Sequence, residues 1–248
     1  MHRFYIAPED WRPDALTLGQ GEAHHCLHVL RLGPGDRVVL FNGRGREVTA
    51  EIASAEGSDV RFNKLHEAQT PPLRCQITLA QAIPKGKNMD LIVQKAVEIG
   101  AAEIAPILSD RTVVRLDEES ASAKQSKWQT VAIEAAKQCG QNWLPQVQTP
   151  QTMAAFFQQH RRFDLQLIGS LQSDAVHLKK ILSDYSTEHS DRPTSVLMLV
   201  GPEGDFTPAE LSLARSHGCR PITLGPIVLR VETASIYCLS VLSYELLV

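Results

Sequence analysis

Two hydrophobic patterns divide the chain near Pro71-Pro72. Before that point the apolar runs are short: RFYIA, RVVLFN, EVTAEIA and DVRFNKL, separated by GPGD, NGRG and AEGSD. The separators carry the Gly, Asn and Asp that tight turns need, so the runs read as four strands. Between the first two, GEAHHCLHVLRL reads as a short helix with Val29 and Leu30 facing inward. Short strands at this spacing suit a small β-barrel. Pro71-Pro72, within EAQTPPLR, cannot continue a sheet ladder and marks a stiff boundary. This predicts a first domain over residues 1–70 and a second over 73–248.

Beyond the boundary the rhythm lengthens. CQITLAQAI (75–83), AEIAPIL (102–108), FDLQLIG (163–169), SVLMLVG (195–201) and RPITLG (220–225) read as buried strands. MDLIVQKAVEIG (89–100) places Met89, Ile92, Val93, Ala96, Val97 and Gly100 on one helical face. Further helices are expected over 126–140, 208–217 and 233–247, while the polar stretch 181–194 reads as an exposed loop. Strands alternating with helices predict an α/β domain with a mostly parallel sheet covered on both faces.

Composition narrows the function classes. Of 248 residues, 43% are hydrophobic and 21% charged, as in soluble globular proteins. The opening MHRFYIAPED has no apolar signal core and no run reaches membrane-spanning length, so a cytoplasmic protein without a membrane partner is expected. Five cysteines (26, 75, 139, 219, 238) form no CxxC pair and read as reduced thiols. No His/Cys/Asp grouping points to a metal site. The net charge of −3 argues mildly against a nucleic-acid binder, yet leaves room for a local positive groove.

The densest chemical signal lies at LMLVGPEGDFTPAE (197–210) and ITLGPIVLRVETA (222–234). Each apolar run ends in a glycine-bearing turn that leads into a helix. Open α/β sheets bind ligands beyond such strand ends. Neither turn has dinucleotide-fingerprint spacing or the Lys-Ser/Thr of a P-loop. A ligand here is therefore expected to be held by backbone and apolar contacts. Gly201 and Gly204 let the backbone approach it, Pro202 fixes the turn, and Glu203 sits between them; an ordinary strand-to-helix turn is the bland alternative.

Taken in order, HHCLHVLRLGPGD, KGKNMDLIVQKAVEIGAAEIAPILSDRTVV, KWQTVAIEAAKQCGQNWLPQV, LVGPEGDFTPAE and LGPIVLRVETA resemble the ribosomal RNA small-subunit methyltransferase E family. That family belongs to the SPOUT class of knotted methyltransferases, and the resemblance covers nearly the whole chain. It implies an N-terminal PUA-like β-barrel that helps hold RNA and a C-terminal α/β domain with a deep trefoil knot. It also implies S-adenosylmethionine as methyl donor and N3 of a uridine in 16S ribosomal RNA of the small subunit as acceptor. A homodimer is implied as well, expected here through the 233–247 helix with Ile236, Leu239, Val241 and Leu242. By the same resemblance the cofactor loops run through Gly201, Leu224, Gly225, Val228 and Leu229, with Leu167 and Gly169 forming a third wall. Ile227 and Gln141 stand where the family commonly has Arg.

Methyl transfer to uridine N3 needs alignment and loss of the N3 proton. Arg230 is the candidate donor to the developing anion on O2 or O4. Glu232 or Glu203 is the candidate proton acceptor, although a carboxylate near a helix start also serves as a cap. Arg3, His24 and Arg31 are candidate RNA contacts in the first domain, where a solvated charged face is the competing reading. By the resemblance Arg111 and Arg115, around TVV, are candidates for an RNA-facing edge, where surface charge blunting an edge strand is the competing reading. Glu134, Gln138 and Asn142 are candidates for shaping the substrate pocket, with Gln138 and Asn142 contacting the RNA. Two alternatives stay open: a methyltransferase of this fold acting on another RNA or base, and a non-catalytic RNA- or ribosome-binding protein.

Overall fold

The computed structural model describes residues 1–56, 59–112 and 116–247. The chain divides into two compact units. One comprises residues 1–72 with 133–144, the other 73–132 with 145–248. Sequence order alone places 133–144 in the second domain; its contacts place it in the first.

In the first unit, β1 (His2–Tyr5), β2 (Arg37–Phe41), β3 (Arg46–Glu56) and β4 (Asp59–Gln69) form a four-stranded sheet in that order. β1 lies parallel to β2; the other pairs are antiparallel, and Thr17 bridges to Arg61 on β4. Phe4, Val38, Leu40, Val48, Ala50, Ile52 and Val60 bury a common core, following the alternation that a half-buried sheet requires. Helix α1 (Gln20–His24) runs into a π-helical turn over His25–Val29. That turn rotates the expected face: Ala23 and Cys26 are buried, whereas Val29 is 61% exposed. Leu30 packs only partly against the core, and its N–H bonds to His25 O at 2.9 Å, the wide-turn bond that shifts the register.

The return segment is fastened to this unit by polar contacts. Asn142 Nδ2 donates to Thr70 Oγ1 at 2.9 Å, Trp143 Nε1 donates to Thr70 O at 2.9 Å, and Gly45 N donates to Asn142 O at 2.9 Å.

The second unit is built on β5 (Gln76–Ala82), β6 (Glu103–Leu108), β7 (Gln146–Val147), β8 (Gln151–Thr152), β9 (Leu165–Gly169), β10 (Val176–His177), β11 (Ser195–Val200) and β12 (Arg220–Thr223). The order is β10-β12-β9-β11-β5-β6-β7, with β8 also pairing β6, and every pair is parallel. Helix α2 spans Asn88–Ile99 and α3 spans Glu118–Cys139. They are followed by α4 (Met153–Gln158), α5 (Leu178–His189), α6 (Pro208–Ser216) and α7 (Val231–Leu246).

The strands alternate between two covered faces. Ala80 and Ala82 of β5 and Leu197 and Leu199 of β11 pack with Phe156 and Phe157 of α4 and Leu211 and Ala214 of α6. The intervening Gln81 of β5 turns to the other side, where its Oε1 meets Ser235 Oγ of α7. α2 buries the expected Met89, Ile92, Val93, Ala96 and Val97, and stops at Gly100 in the left-handed region, φ 94°.

The stretch 181–194 is not the expected loop. Most of it lies in α5, which starts earlier, is capped by His177, and buries Leu178, Ile181 and Leu182. The apolar stripe begins at Leu178, so a reading that starts at Ile181 sees only its polar face.

Candidate active site

Because the strands are parallel, their C-terminal ends lie at one edge of the sheet, where the turns after β9, β11 and β12 enclose a cavity of about 480 Å³. Gly169 comes from the end of β9, Gly201 to Glu203 and Asp205 from the turn after β11, and Leu224 to Glu232 from the loop after β12 except Pro226. Asn88, at the start of α2, and Cys238 of α7 complete the wall. Met198, Val200, Ile222 and Leu229 provide its apolar surface. The volume lies within the range of small-molecule sites.

Of the expected cofactor residues, Gly169, Gly201, Pro202, Glu203, Leu224, Gly225, Val228 and Leu229 line this cavity. Leu167 does not: it is fully buried in the middle of β9 and serves the sheet core. Gly204 lies outside the wall, beneath the side chain of Arg111, whose Nη1 donates to Gly204 O. Gly225 has φ 114° and open space where a Cβ would be, so glycine there answers a backbone need rather than a crowded neighbour.

The two turns meet the rest of the unit differently. Lys85 N donates to Glu203 Oε1 at 2.9 Å, and Asp205 N closes the turn on Pro202 O at 3.0 Å. Asp205 itself is left-handed, φ 62°, and its Oδ1 accepts Phe206 N at 2.8 Å. In the other loop Ile227 and Val228 are 74% and 72% exposed. Arg230 is exposed and is the N-cap residue of α7, without a side-chain capping bond. Glu232 is half-buried in the first turn of α7 and accepts Asn88 Nδ2 at 3.2 Å. Burial pushes the Cys238 thiol up to about 12, so it faces the cavity region as a neutral group.

The charge balance and surface suit a cationic, partly apolar ligand. Glu203, Asp205 and Glu232 outnumber Arg230 on the wall, and the rest is mostly apolar, with Asn88, Ser170 and Thr223 as uncharged polar side chains. Among the described residues no cluster of three His, Cys, Asp or Glu is arranged for a metal, and no helix is long and apolar enough to cross a membrane.

The expected RNA contacts fall into two groups. His24, Arg31 and Gln138 are exposed, and Arg31 is left-handed, φ 57°. Arg3 and Asn142 instead face inward. The Arg3 side chain is 13% exposed, pairs with Glu47 at 2.7 Å, lies 5.0 Å from the Phe41 ring centroid and donates to Asn142 Oδ1. Asn142 is 7% exposed. Both hold the return segment in the first unit, which accounts for them without RNA. Arg111 is bonded to Gly204 O, and Arg115 lies outside the described residues.

Sequence reasoning missed Asn88 and Asp205. A helix-start Asn and an Asp in a turn are too common to stand out; only the folded arrangement brings them to the cavity.

Comparison with known proteins is consistent across sequence and structure. The RNA methyltransferase domain family matches residues 71–243, and the RNA methyltransferase PUA domain family matches residues 18–64. The ribosomal RNA small subunit methyltransferase E of Bacillus subtilis is 31% identical over 229 residues, covering 90% of this chain and 88% of that protein. The Synechocystis protein of the same name is 31% identical, covering 94% of this chain and 74% of its own. Among solved structures, the Neisseria gonorrhoeae enzyme of that name bound to S-adenosyl methionine has a TM-score of 0.85 at 31% identity, covering 99% of this chain and 98% of that one. A Legionella pneumophila methyltransferase with bound SAM has a TM-score of 0.86 at 33% identity, covering 98% of this chain and 97% of that one.

Proposed function

The chain belongs to the ribosomal RNA small subunit methyltransferase E family, and from that premise we propose that it transfers a methyl group from S-adenosylmethionine to N3 of a uridine in 16S ribosomal RNA. The observation that carries this reading is the cavity at the strand ends of β9, β11 and β12. S-adenosylmethionine, when bound, supplies a methyl group on positively charged sulfur. Glu203, Asp205 and Glu232 give that edge of the sheet a negative balance suited to a cation. Gly201 and Gly225 leave backbone groups open to a nucleoside-sized ligand, and Met198, Val200, Ile222 and Leu229 cover its apolar parts.

The acceptor side falls to Arg230 and the two glutamates. Arg230 carries its guanidinium at the cavity wall without a capping bond, free to turn toward O2 or O4 of the base as negative charge develops there. Glu232, oriented by Asn88, and Glu203, held by Lys85 N, are the carboxylates within the wall that can accept the N3 proton. Exclusion of water and alignment of the acceptor supply the rest of the rate.

The protein is expected to work as a homodimer. The outer side of α7 supports this: Tyr237 and Tyr244 are 42% and 76% exposed, next to Val241 and a groove reaching Leu178. Of the residues expected at that interface, Leu239 and Leu242 are buried in the unit's own core, and Ile236 and Val241 remain half-exposed. Light scattering that finds only monomer at micromolar concentration would reject the dimer.

The functional reading is tested by methyl transfer from labelled S-adenosylmethionine into small ribosomal subunits lacking the modification, with nucleoside mass spectrometry of the product. New 3-methyluridine is expected. Donor binding without incorporation would point to another RNA or base, and absence of donor binding would favour the non-catalytic alternative.

A further inference from the structure

We propose that Arg111 is a positioning residue that latches the Pro202–Asp205 turn and thereby sets the shape of the donor cavity. The inference rests on the donor reading above for its consequence, and on geometry alone for the latch. Arg111 Nη1 donates to Gly204 O across 93 positions of sequence. The arginine stem lies on the same glycine: a Cβ built on Gly204 would stand 3.3 Å from Arg111 Cδ and 3.6 Å from its Cβ. Arg111 therefore both bonds the turn and covers it.

The base of the latch is itself anchored. Glu210 is 6% exposed and accepts Asp110 N at 3.0 Å and Ser109 Oγ at 3.3 Å, while also closing the capping box with Thr207 at the start of α6. Thr207 Oγ1 lies 3.2 Å from Asp110 Oδ2. The loop after β6 is thus tied to α6 on one side and, through Arg111, to the turn after β11 on the other. That turn contains Asp205 in a left-handed conformation, supported locally by its own Oδ1 accepting Phe206 N at 2.8 Å. It also supplies Gly201, Pro202, Glu203 and Asp205 to the cavity wall. An arginine expected at an RNA edge instead spends its guanidinium on the cofactor turn.

The test pairs a donor-free readout with a kinetic one. Amide hydrogen exchange of residues 201–206 in the donor-free protein should quicken in Arg111→Ala, with exchange of β5 and β9 unchanged. Donor affinity by calorimetry should weaken roughly tenfold, the size expected for loss of one charge-assisted bond. In steady state the KM for donor should rise while the KM for RNA and the kcat at saturating donor hold, and Arg111→Lys, which keeps a donor at the stem's end, should recover part of the loss. Gly204→Ala should give a smaller defect of the same kind, because its new methyl stands 3.3 Å from Arg111 Cδ and obliges that side chain to shift slightly against the turn. The Gly204→Ala/Arg111→Ala pair should then lose less than the sum of the singles.

Unchanged exchange at 201–206 in Arg111→Ala would overturn the latch whatever the donor is. Faster exchange with an unchanged donor affinity would overturn its role in shaping the cavity, and a rise confined to the KM for RNA would return Arg111 to the RNA surface. Failure of the wild-type chain to bind donor, with the exchange difference present, would sink the functional reading while leaving the latch in place.

Discussion

From Pro202 to Asp205 the cavity wall is bonded to two other loops, through Lys85 N to Glu203 and Arg111 to Gly204 O. From Gly225 to Arg230 the opposite wall is held, among the described residues, only at its ends: Thr223 Oγ1 meets Gly225, and Arg230 O accepts the first helical bond of α7. The two turns look alike in sequence, each an apolar strand running into Gly-Pro. The difference lies in what the neighbouring loops offer. Loops that face solvent without internal bonds carry low local stability, and function draws on such segments. One wall is thus a fixed template, and the other presents side chains, Arg230 among them, that depend on ligand and substrate for their final contacts.

The largest effect should come from the loosely held wall. Arg230→Ala is expected to lower methyl transfer about a hundredfold or more, the range seen when a group facing developing charge is removed. Stability should move by less than about 0.5 kcal/mol, because Arg230 is exposed and makes no capping bond. Single-turnover rates and urea unfolding on the same protein check both. Near-wild-type turnover would remove Arg230 from the mechanism.

The fixed wall should show the reverse profile. Glu210→Ala removes the capping box of α6 and leaves Asp110 N–H without its acceptor. Thr207 Oγ1 still caps the helix through the backbone N at 210, so a stability loss of roughly 1–3 kcal/mol is expected, mainly from the buried Ser109 hydroxyl left without Glu210. Because the loop that carries Arg111 hangs from Glu210, donor affinity should weaken as well. A destabilised variant with unaltered donor affinity would break the claimed link between that loop and the wall.

This contrast also explains what was legible in the sequence. The strands of the parallel sheet, the apolar face of α2 and the two glycine turns follow from local periodicity and turn chemistry, and so did the position of the cavity at the strand ends. Gly204 and Leu167 fall outside the cavity wall because a motif names a segment, whereas the fold decides which of its residues reach the opening: Leu167 shares the sheet face of its neighbour Met198 yet is fully enclosed on β9, and Gly204 lies under Arg111. Arg3 and Asn142 read as candidate RNA contacts; 139 positions apart, they form a bonded pair that no local window contains. The π-helical turn at His25–Val29 was equally hidden, since a one-residue widening changes which side chains face inward without altering composition.

Asp164 offers a smaller test, at the far end of the same strands. Its Oδ2 accepts Thr194 N at 2.8 Å, Thr194 Oγ1 at 2.8 Å and Ser195 N at 3.0 Å, joining the starts of β9 and β11. The Thr194 side-chain bond leads the effects that hold its carboxyl below the usual carboxylate value. A depressed folded pKa contributes stability above the unfolded pKa, near 3.9, that is lost as pH falls through the folded value. Asp164→Asn should therefore lower stability at neutral pH and flatten the fall below about pH 4. The cavity lies at the other end of β9 and β11, so donor affinity at pH 7 should not change; a change would mean that the walls respond to restraint anywhere in the sheet.

The smallest expected change bears most directly on the loose wall. Ile227 is 74% exposed on the Gly225–Arg230 segment, at the position where the sequence resemblance led an Arg to be expected. If the segment owes little to internal packing, Ile227→Arg should leave unfolding free energy within about 0.5 kcal/mol of wild type. The new guanidinium would stand on the rim beside Arg230, where a phosphate contact would steepen the salt dependence of RNA binding by about one unit of slope. Donor affinity should fall only slightly, since Ile227 is 74% exposed at the edge of the cavity wall and the three wall carboxylates still outnumber the two arginines. A destabilised Ile227→Arg would mean that the exposed isoleucine is packed in the working protein, and the loop after β12 would then be as firmly held as the turn after β11.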